Sequence, residues 1–150
     1  MTPEWDADAA CIRAARPRHV LFLCVANSAR SQMAEAIARA LAPPSVKISS
    51  AGSCPSHVNP LALKVLAEIG VDASRQRSKS VGEIPPGDVD VVVTLCAEEV
   101  CPVFLGKAAR VHWALPDPAA VQGDEGARLD AFRRVRDELR RRLGVVFNPA

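Results

Sequence analysis

The sequence predicts an α/β protein in which parallel strands alternate with helices. Three observations predict it. Short bounded hydrophobic runs alternate with segments whose apolar residues recur at helical spacing. The run "VDVVVTLC" is continuous and β-branched, the mark of a strand covered on both faces. The chain has 150 residues, 49% of them hydrophobic and 24% charged, which suits one domain with one core.

The elements follow in order. Residues 1–18 turn from acidic to basic and hold no continuous apolar core of the kind a signal peptide carries. They are read as an N-terminal extension, expected to be flexible, ahead of a single domain over 19–150. "HVLFL" is a buried strand. "SQMAEAIARAL" places Met33, Ala36, Ile37, Ala40 and Leu41 on one stripe, a helix that "APP" ends. "VKISSAG" is a second strand closed by a turn. "NPLALKVLAEIG" is a helix with Asn59 as N-cap, Pro60 in its first turn and Gly70 as its stop. "VDVVVTLC" and the shorter "ARVHWAL" are the third and fourth strands, and residues from about Asp124 to Leu143 form a long amphipathic helix. Alternation of this kind implies layers built on a parallel sheet.

Composition excludes several classes of function. The net charge is only +2, which argues for neither nucleic acid nor a membrane surface. "RRVRDELRRR" interleaves its arginines with acids at helical spacing and reads as a solvated helix face. No segment is long and apolar enough to span a bilayer, so a cytoplasmic location is expected. There the five cysteines are read as reduced thiols, catalytic or metal-binding, rather than structural disulfides.

In parallel sheets ligands bind beyond the carboxyl ends of the strands, where the strand order reverses. Cys24 ends the first strand, Cys96 ends the third and Asp117 follows the fourth, so three reactive side chains share one sheet edge. After Cys24 comes "VANSAR". Residues Val25, Ala26, Asn27, Ser28 and Ala29 are small enough to curl with their backbone N–H groups inward as an anion nest. The helix starting near Ser31 adds its positive end, and Arg30 offers a planar fork for two oxygens of a tetrahedral oxyanion. The same groups, with Ser31 placed to hydrogen-bond the sulfur, favour the Cys24 thiolate as a nucleophile. Asp117, between two prolines in "LPDP", is either a proton donor or a plain turn residue. Cys96 and Cys101 in "TLCAEEVCP" are a reactive thiol pair, two residues closing a strand, or half of a zinc site. No second pair or histidine run completes a zinc site, so no metal is expected.

"VLFLCVANSARSQMAEA", "SSAG", "VNPLALKVLAEIGVDAS", "VVVTLC" and "HWALPDP" together resemble the arsenate reductases built on the low-molecular-weight protein tyrosine phosphatase fold. The resemblance implies a three-layer architecture, a four-stranded parallel sheet flanked by helices. It implies that Cys24 attacks the oxyanion, that residues Val25 to Ser31 bind it with Arg30, and that Asp117 is the general acid. It further implies that Cys96 attacks the Cys24 adduct and releases arsenite, and that Cys101 resolves the disulfide. An external thiol, thioredoxin first and glutaredoxin or mycothiol otherwise, then restores the enzyme, with no bound cofactor. In some members a monovalent cation lies near the loop, and Asn27, Glu35, Ser50 and Asp72 match its ligands by position. Two other readings remain: a phosphatase, in which water attacks the Cys24 adduct, and an oxyanion-binding or redox-sensing module. The chain has no tyrosine and no aromatic residue beside Asp117, which disfavours recognition of a phosphotyrosine ring by stacking.

Overall fold

The computed structural model describes residues 4–97, 104 and 106–147. Within them the chain runs α1 (Glu4–Ala15), β1 (His19–Cys24), α2 (Arg30–Leu41), β2 (Lys47–Gly52), α3 (Pro60–Ala67), β3 (Val91–Thr94), β4 (Ala109–His112) and α4 (Glu125–Phe147). All strand pairs are parallel, in the order β2-β1-β3-β4. The ends of β1, β3 and β4 therefore open on one edge. The backbone laces them together there: Leu95 N–H donates to Leu23 O (2.9 Å) and Leu115 N–H to Leu95 O (3.1 Å).

Every residue of β1 is buried, because the sheet is covered twice. Val20, Phe22, Val91 and Val93 face a core shared with all four helices. Leu21, Leu23, Ala51 and Val92 face a smaller core with Ile84, Val89 and Phe104. Among the described residues this second layer is made of two 3₁₀ turns, Val81–Glu83 and Pro86–Asp88, and Phe104 rather than long helices. The helix-flanked sheet expected from the sequence is present, and among the described residues its four α-helices all contribute to the core on one face. Truncating a fully buried ring such as Phe22 or Phe132 would cost about 3–5 kcal/mol.

The first strand and α3 match their sequence signals. Asn59 Oδ1 accepts from Leu61 N–H at 2.8 Å with Pro60 in the first turn, and Gly70 takes φ +76° just beyond the helix. The N-terminal extension contains an element that was not expected. Ala9 and Ile12 of α1 are buried in the main core, and Arg141 and Arg142 of α4 lie 5.3 and 5.4 Å from the Trp5 ring centroid. The arginine-rich run of α4 also departs from a uniformly solvated face. Arg136 is buried, donating to Val65 O (2.9 Å) and Glu68 Oε1 (2.7 Å). Arg133 and Arg136 together hold the Glu68 carboxyl down to about 2.

His19 opens β1 inside the protein. Its Nδ1–H donates to Asp88 O (3.1 Å), and its Nε2 accepts from Ser49 Oγ (2.8 Å). Burial, with Lys47 nearby, pushes its pKa below the ordinary 6.5. The unfolded chain then binds the extra proton, so stability is present above about 6.5 and is lost as pH falls through the depressed folded value. The calorimetric melting temperature is expected to drop between about pH 7 and pH 5, and His19→Asn should flatten that drop. A slope unchanged by the substitution would assign it to another group.

Candidate active site

Cys24 sits at the last position of β1, 2% exposed. The next residues do not continue the strand, because their carbonyls are taken by other segments. Val25 O accepts from Cys54 N–H (2.9 Å), Ala26 O from Ser56 N–H (3.2 Å) and Ser78 Oγ (3.0 Å), and Ser28 O from Asn59 N–H (3.0 Å). Asn27 O accepts from Gln32 Nε2 at 3.1 Å. In a trans peptide the N–H points opposite to the preceding carbonyl, and no peptide here is cis. The N–H groups of Ala26, Asn27, Ser28 and Ala29 are thereby directed away from those partners, toward the hollow of the loop. Asn27 makes the reversal with φ +47°, a conformation asparagine tolerates better than most residues. Gly52 of β2 lies against the loop: a Cβ there would meet Val25 O and lie 2.9 Å from both Asn27 N and Cys24 O.

Helix α2 begins at Arg30 with Ala29 as N-cap, no side-chain cap and no acid in its first turn. Its positive end is left to whatever anion enters the loop. Arg30 is 4% exposed, and its Nη1 donates to Leu95 O (3.4 Å) and Leu115 O (3.0 Å). These bonds tie the guanidinium to the chain just after β3 and just after β4.

Ser31 Oγ lies 2.8 Å from Cys24 Sγ, and Asn27 Nδ2 donates to Ser31 Oγ (2.7 Å) and to Ser50 Oγ (3.0 Å). Asn27 Oδ1 accepts from the Lys79 backbone N–H at 2.9 Å, which fixes which end of the amide is which. Ser31 thus receives a hydrogen from Asn27 and has its own to give to the sulfur. That arrangement aims one hydroxyl donor at the Cys24 sulfur.

Asp117 follows β4, half-buried, and caps the short turn Pro118–Ala120 by accepting from Ala119 N–H at 3.0 Å. Cys96 follows Leu95, 1% exposed, and is half of a disulfide. Cys101 lies outside the described residues. Of the four residues matched to a cation site, Asn27, Ser50 and Glu35 converge, with Ser50 Oγ donating to Glu35 Oε1 at 2.5 Å. Asp72 is exposed and accepts from Ser74 N–H instead. Lys79 Nζ, 3.5 Å from Glu35 Oε1, and Arg39, 2.7 Å from Oε2, bring positive charge to that carboxylate. Among the described residues no cluster of three His, Cys, Asp or Glu is arranged to hold a metal.

Sequence reasoning missed the outer supports: the 54–59 and 76–79 segments, and buried Gln32 within the α2 stripe. A polar residue at a core-facing helical position was the one signal for Gln32.

Fold and loop together define a class: parallel α/β proteins that hold a cysteine sulfur beneath an amide-lined loop closed by an arginine. The chain belongs to the low molecular weight phosphotyrosine protein phosphatase family, whose model matches residues 19–148. An arsenate reductase of Halalkalibacterium halodurans is 41% identical over 126 residues, 83% of this chain and 91% of that protein. A solved arsenate reductase in a phosphate-binding state superposes with a TM-score of 0.72 at 33% identity, covering 88% of this chain and 98% of the other. The thioredoxin-dependent arsenate reductase of Corynebacterium glutamicum superposes with a TM-score of 0.62 at 27% identity, covering 94% and 69%.

Gly52→Ala should force the loop to move by a few tenths of an ångström or more and weaken phosphate binding by at least about tenfold. Calorimetric titration with phosphate, beside a circular dichroism control for folding, measures this. Unchanged affinity would mean the loop does not need the glycine.

Proposed function

We propose that the protein reduces arsenate to arsenite, with Cys24 as nucleophile. The single observation that carries this reading is the sulfur of Cys24 held by Ser31 at the mouth of a loop whose amides and Arg30 suit a tetrahedral oxyanion. Arsenate reductases at about 41% identity over most of the chain support the substrate.

In the first step the Cys24 thiolate attacks arsenic and an oxygen leaves, protonated by Asp117. The loop amides and Arg30 stabilise the negative charge on the remaining oxygens. Cys96, paired in a disulfide in this structure and freed as a thiol when that bond is reduced, then attacks Cys24 Sγ. The S–As electron pair passes to arsenic, which falls from the pentavalent to the trivalent state and departs as arsenite. Cys101 attacks Cys96 in turn and releases Cys24 as a thiolate. An external dithiol, thioredoxin by the likeness to the Corynebacterium glutamicum enzyme, reduces the resulting Cys96–Cys101 disulfide. The place of Cys96 supports the second step. It adjoins Leu95, whose N–H bonds Leu23 O and whose carbonyl accepts from Arg30. A water in place of Cys96 would make the same site a phosphatase. Among the described residues no helix is long and apolar enough to cross a membrane.

Arsenate-dependent NADPH oxidation with thioredoxin and its reductase is the direct assay. Cys24→Ser should abolish it. Asp117→Asn should lower turnover by about 10²–10⁴-fold while leaving phosphate affinity largely intact. A near-wild-type rate in the asparagine variant would leave Asp117 as a turn residue only.

The thiol relay is tested separately, by mass spectrometry of trapped disulfides. Cys96→Ser should lose arsenate reduction yet keep slow hydrolysis of small phosphate esters. Cys101→Ser should turn over once and stall as a Cys24–Cys96 disulfide. Normal cycling of Cys101→Ser with glutathione or mycothiol would replace the relay by a small thiol. Normal arsenate reduction by Cys96→Ser would reassign the chain as a phosphatase.

A further inference from the structure

The loop's hydrogen bonds extend well beyond Ser31, and they all run in one direction. Arg39 Nη1 donates to Gln76 Oε1 (3.4 Å), Gln76 Nε2 to Gln32 Oε1 (2.7 Å), and Gln32 Nε2 to Asn27 Oδ1 (3.0 Å). Asn27 Nδ2 then donates to Ser31 Oγ (2.7 Å), which stands 2.8 Å from Cys24 Sγ. A guanidinium has no acceptor, so the Gln76 oxygen must face it. A backbone N–H can only donate, so the Lys79 amide fixes Asn27 in the same sense. Gln32, fully buried, stands between these two fixed points, and its Nε2 also serves Asn27 O (3.1 Å) and Arg77 O (2.9 Å). Hydrogen bonds aligned head to tail polarise one another, so the last donor in such a chain is strengthened.

We propose that Gln32 and Gln76 are positioning residues: their aligned amides hold Asn27 so that Ser31 donates its hydrogen to Cys24. Neither side chain touches the oxyanion or the sulfur. The proposal rests on Cys24 being the nucleophile. An acceptor in place of the Gln76 or Gln32 donor would face another acceptor, Gln32 Oε1 or Asn27 Oδ1, and push Asn27 away from Ser31 even though Lys79 N–H still sets the sense of its amide. Ser31 would then be held less firmly toward Cys24.

Gln32→Glu and Gln76→Glu put an acceptor where the chain needs a donor. In both, iodoacetamide alkylation of Cys24 at neutral pH, followed by peptide mass spectrometry, should slow by about tenfold or more, the scale of one hydrogen bond to a charged group. The turnover number for arsenate should fall in parallel while its KM changes by less than about threefold, because the loop amides and Arg30 are kept. Gln32→Met removes four hydrogen bonds without setting acceptor against acceptor, so its effect on alkylation should be the smaller. Gln76→Glu lies at the half-buried end of the chain and serves where Gln32→Glu fails to fold. An alkylation rate in Gln76→Glu equal to wild type would overturn the proposal. So would a larger effect of Gln32→Met than of Gln32→Glu, which is the signature of packing alone. A wild-type Cys24 no more reactive than exposed Cys11 would overturn the nucleophile reading, and this proposal with it.

Discussion

The outward bonding of four consecutive carbonyls is the constraint on which the site depends. A strand that ended at Cys24 and ran freely into a helix would hide its amide hydrogens in local turns. Here Val25, Ala26, Asn27 and Ser28 give their oxygens to residues 32, 54, 56, 59 and 78. Planarity of the peptide then directs the following N–H groups the other way. Segments far apart in sequence must therefore arrive before the loop has a shape. Gly52 permits the closest of these approaches, and β2 must pair with β1 in register, Cys24 opposite Gly52, for it to happen.

The N-terminus of α2 has no side-chain cap, which forgoes about 0.5–2 kcal/mol of local stability. In the proposed reaction a tetrahedral oxyanion would meet that helix end, the amides turned into the loop and Arg30 together. A loop held in that shape beforehand would stabilise a charged transition state without rearrangement at the moment of reaction. The two cores hold the loop's elements in place, with rings such as Phe22, Phe104, Trp113 and Phe132 almost wholly buried.

The sheet and the course of the loop from Cys24 to Arg30 were legible because both are written in contiguous residues. "HVLFLC" reads as a strand from its apolar run, and a cysteine, five small residues and an arginine in front of a helix carry their own chemistry. The supports were not legible, because they are long-range. Nothing local in Gln32 or Gln76 says that they meet across 44 positions, or that Lys79 N–H reaches Asn27 Oδ1. The N-terminal helix was missed for a related reason. Its apolar residues Ala9 and Ile12 make a weak stripe that gains meaning only against α4. Likewise Arg136 looks like any surface arginine until Val65 O and Glu68 are placed beside it.

The chain has two tryptophans, and a single side chain serves both. The Arg142 guanidinium lies 5.4 Å from the Trp5 ring centroid and 5.8 Å from that of Trp113. The indole N–H of Trp113 has no hydrogen-bond partner among the described residues. Both chromophores thus sit against the C-terminal helix, one on α1 and the other just past β4. Intrinsic emission of this protein is a gauge of how the first and last helices seat on each other. Undocking α1 would shift the Arg142 guanidinium and so change the light from both indoles together.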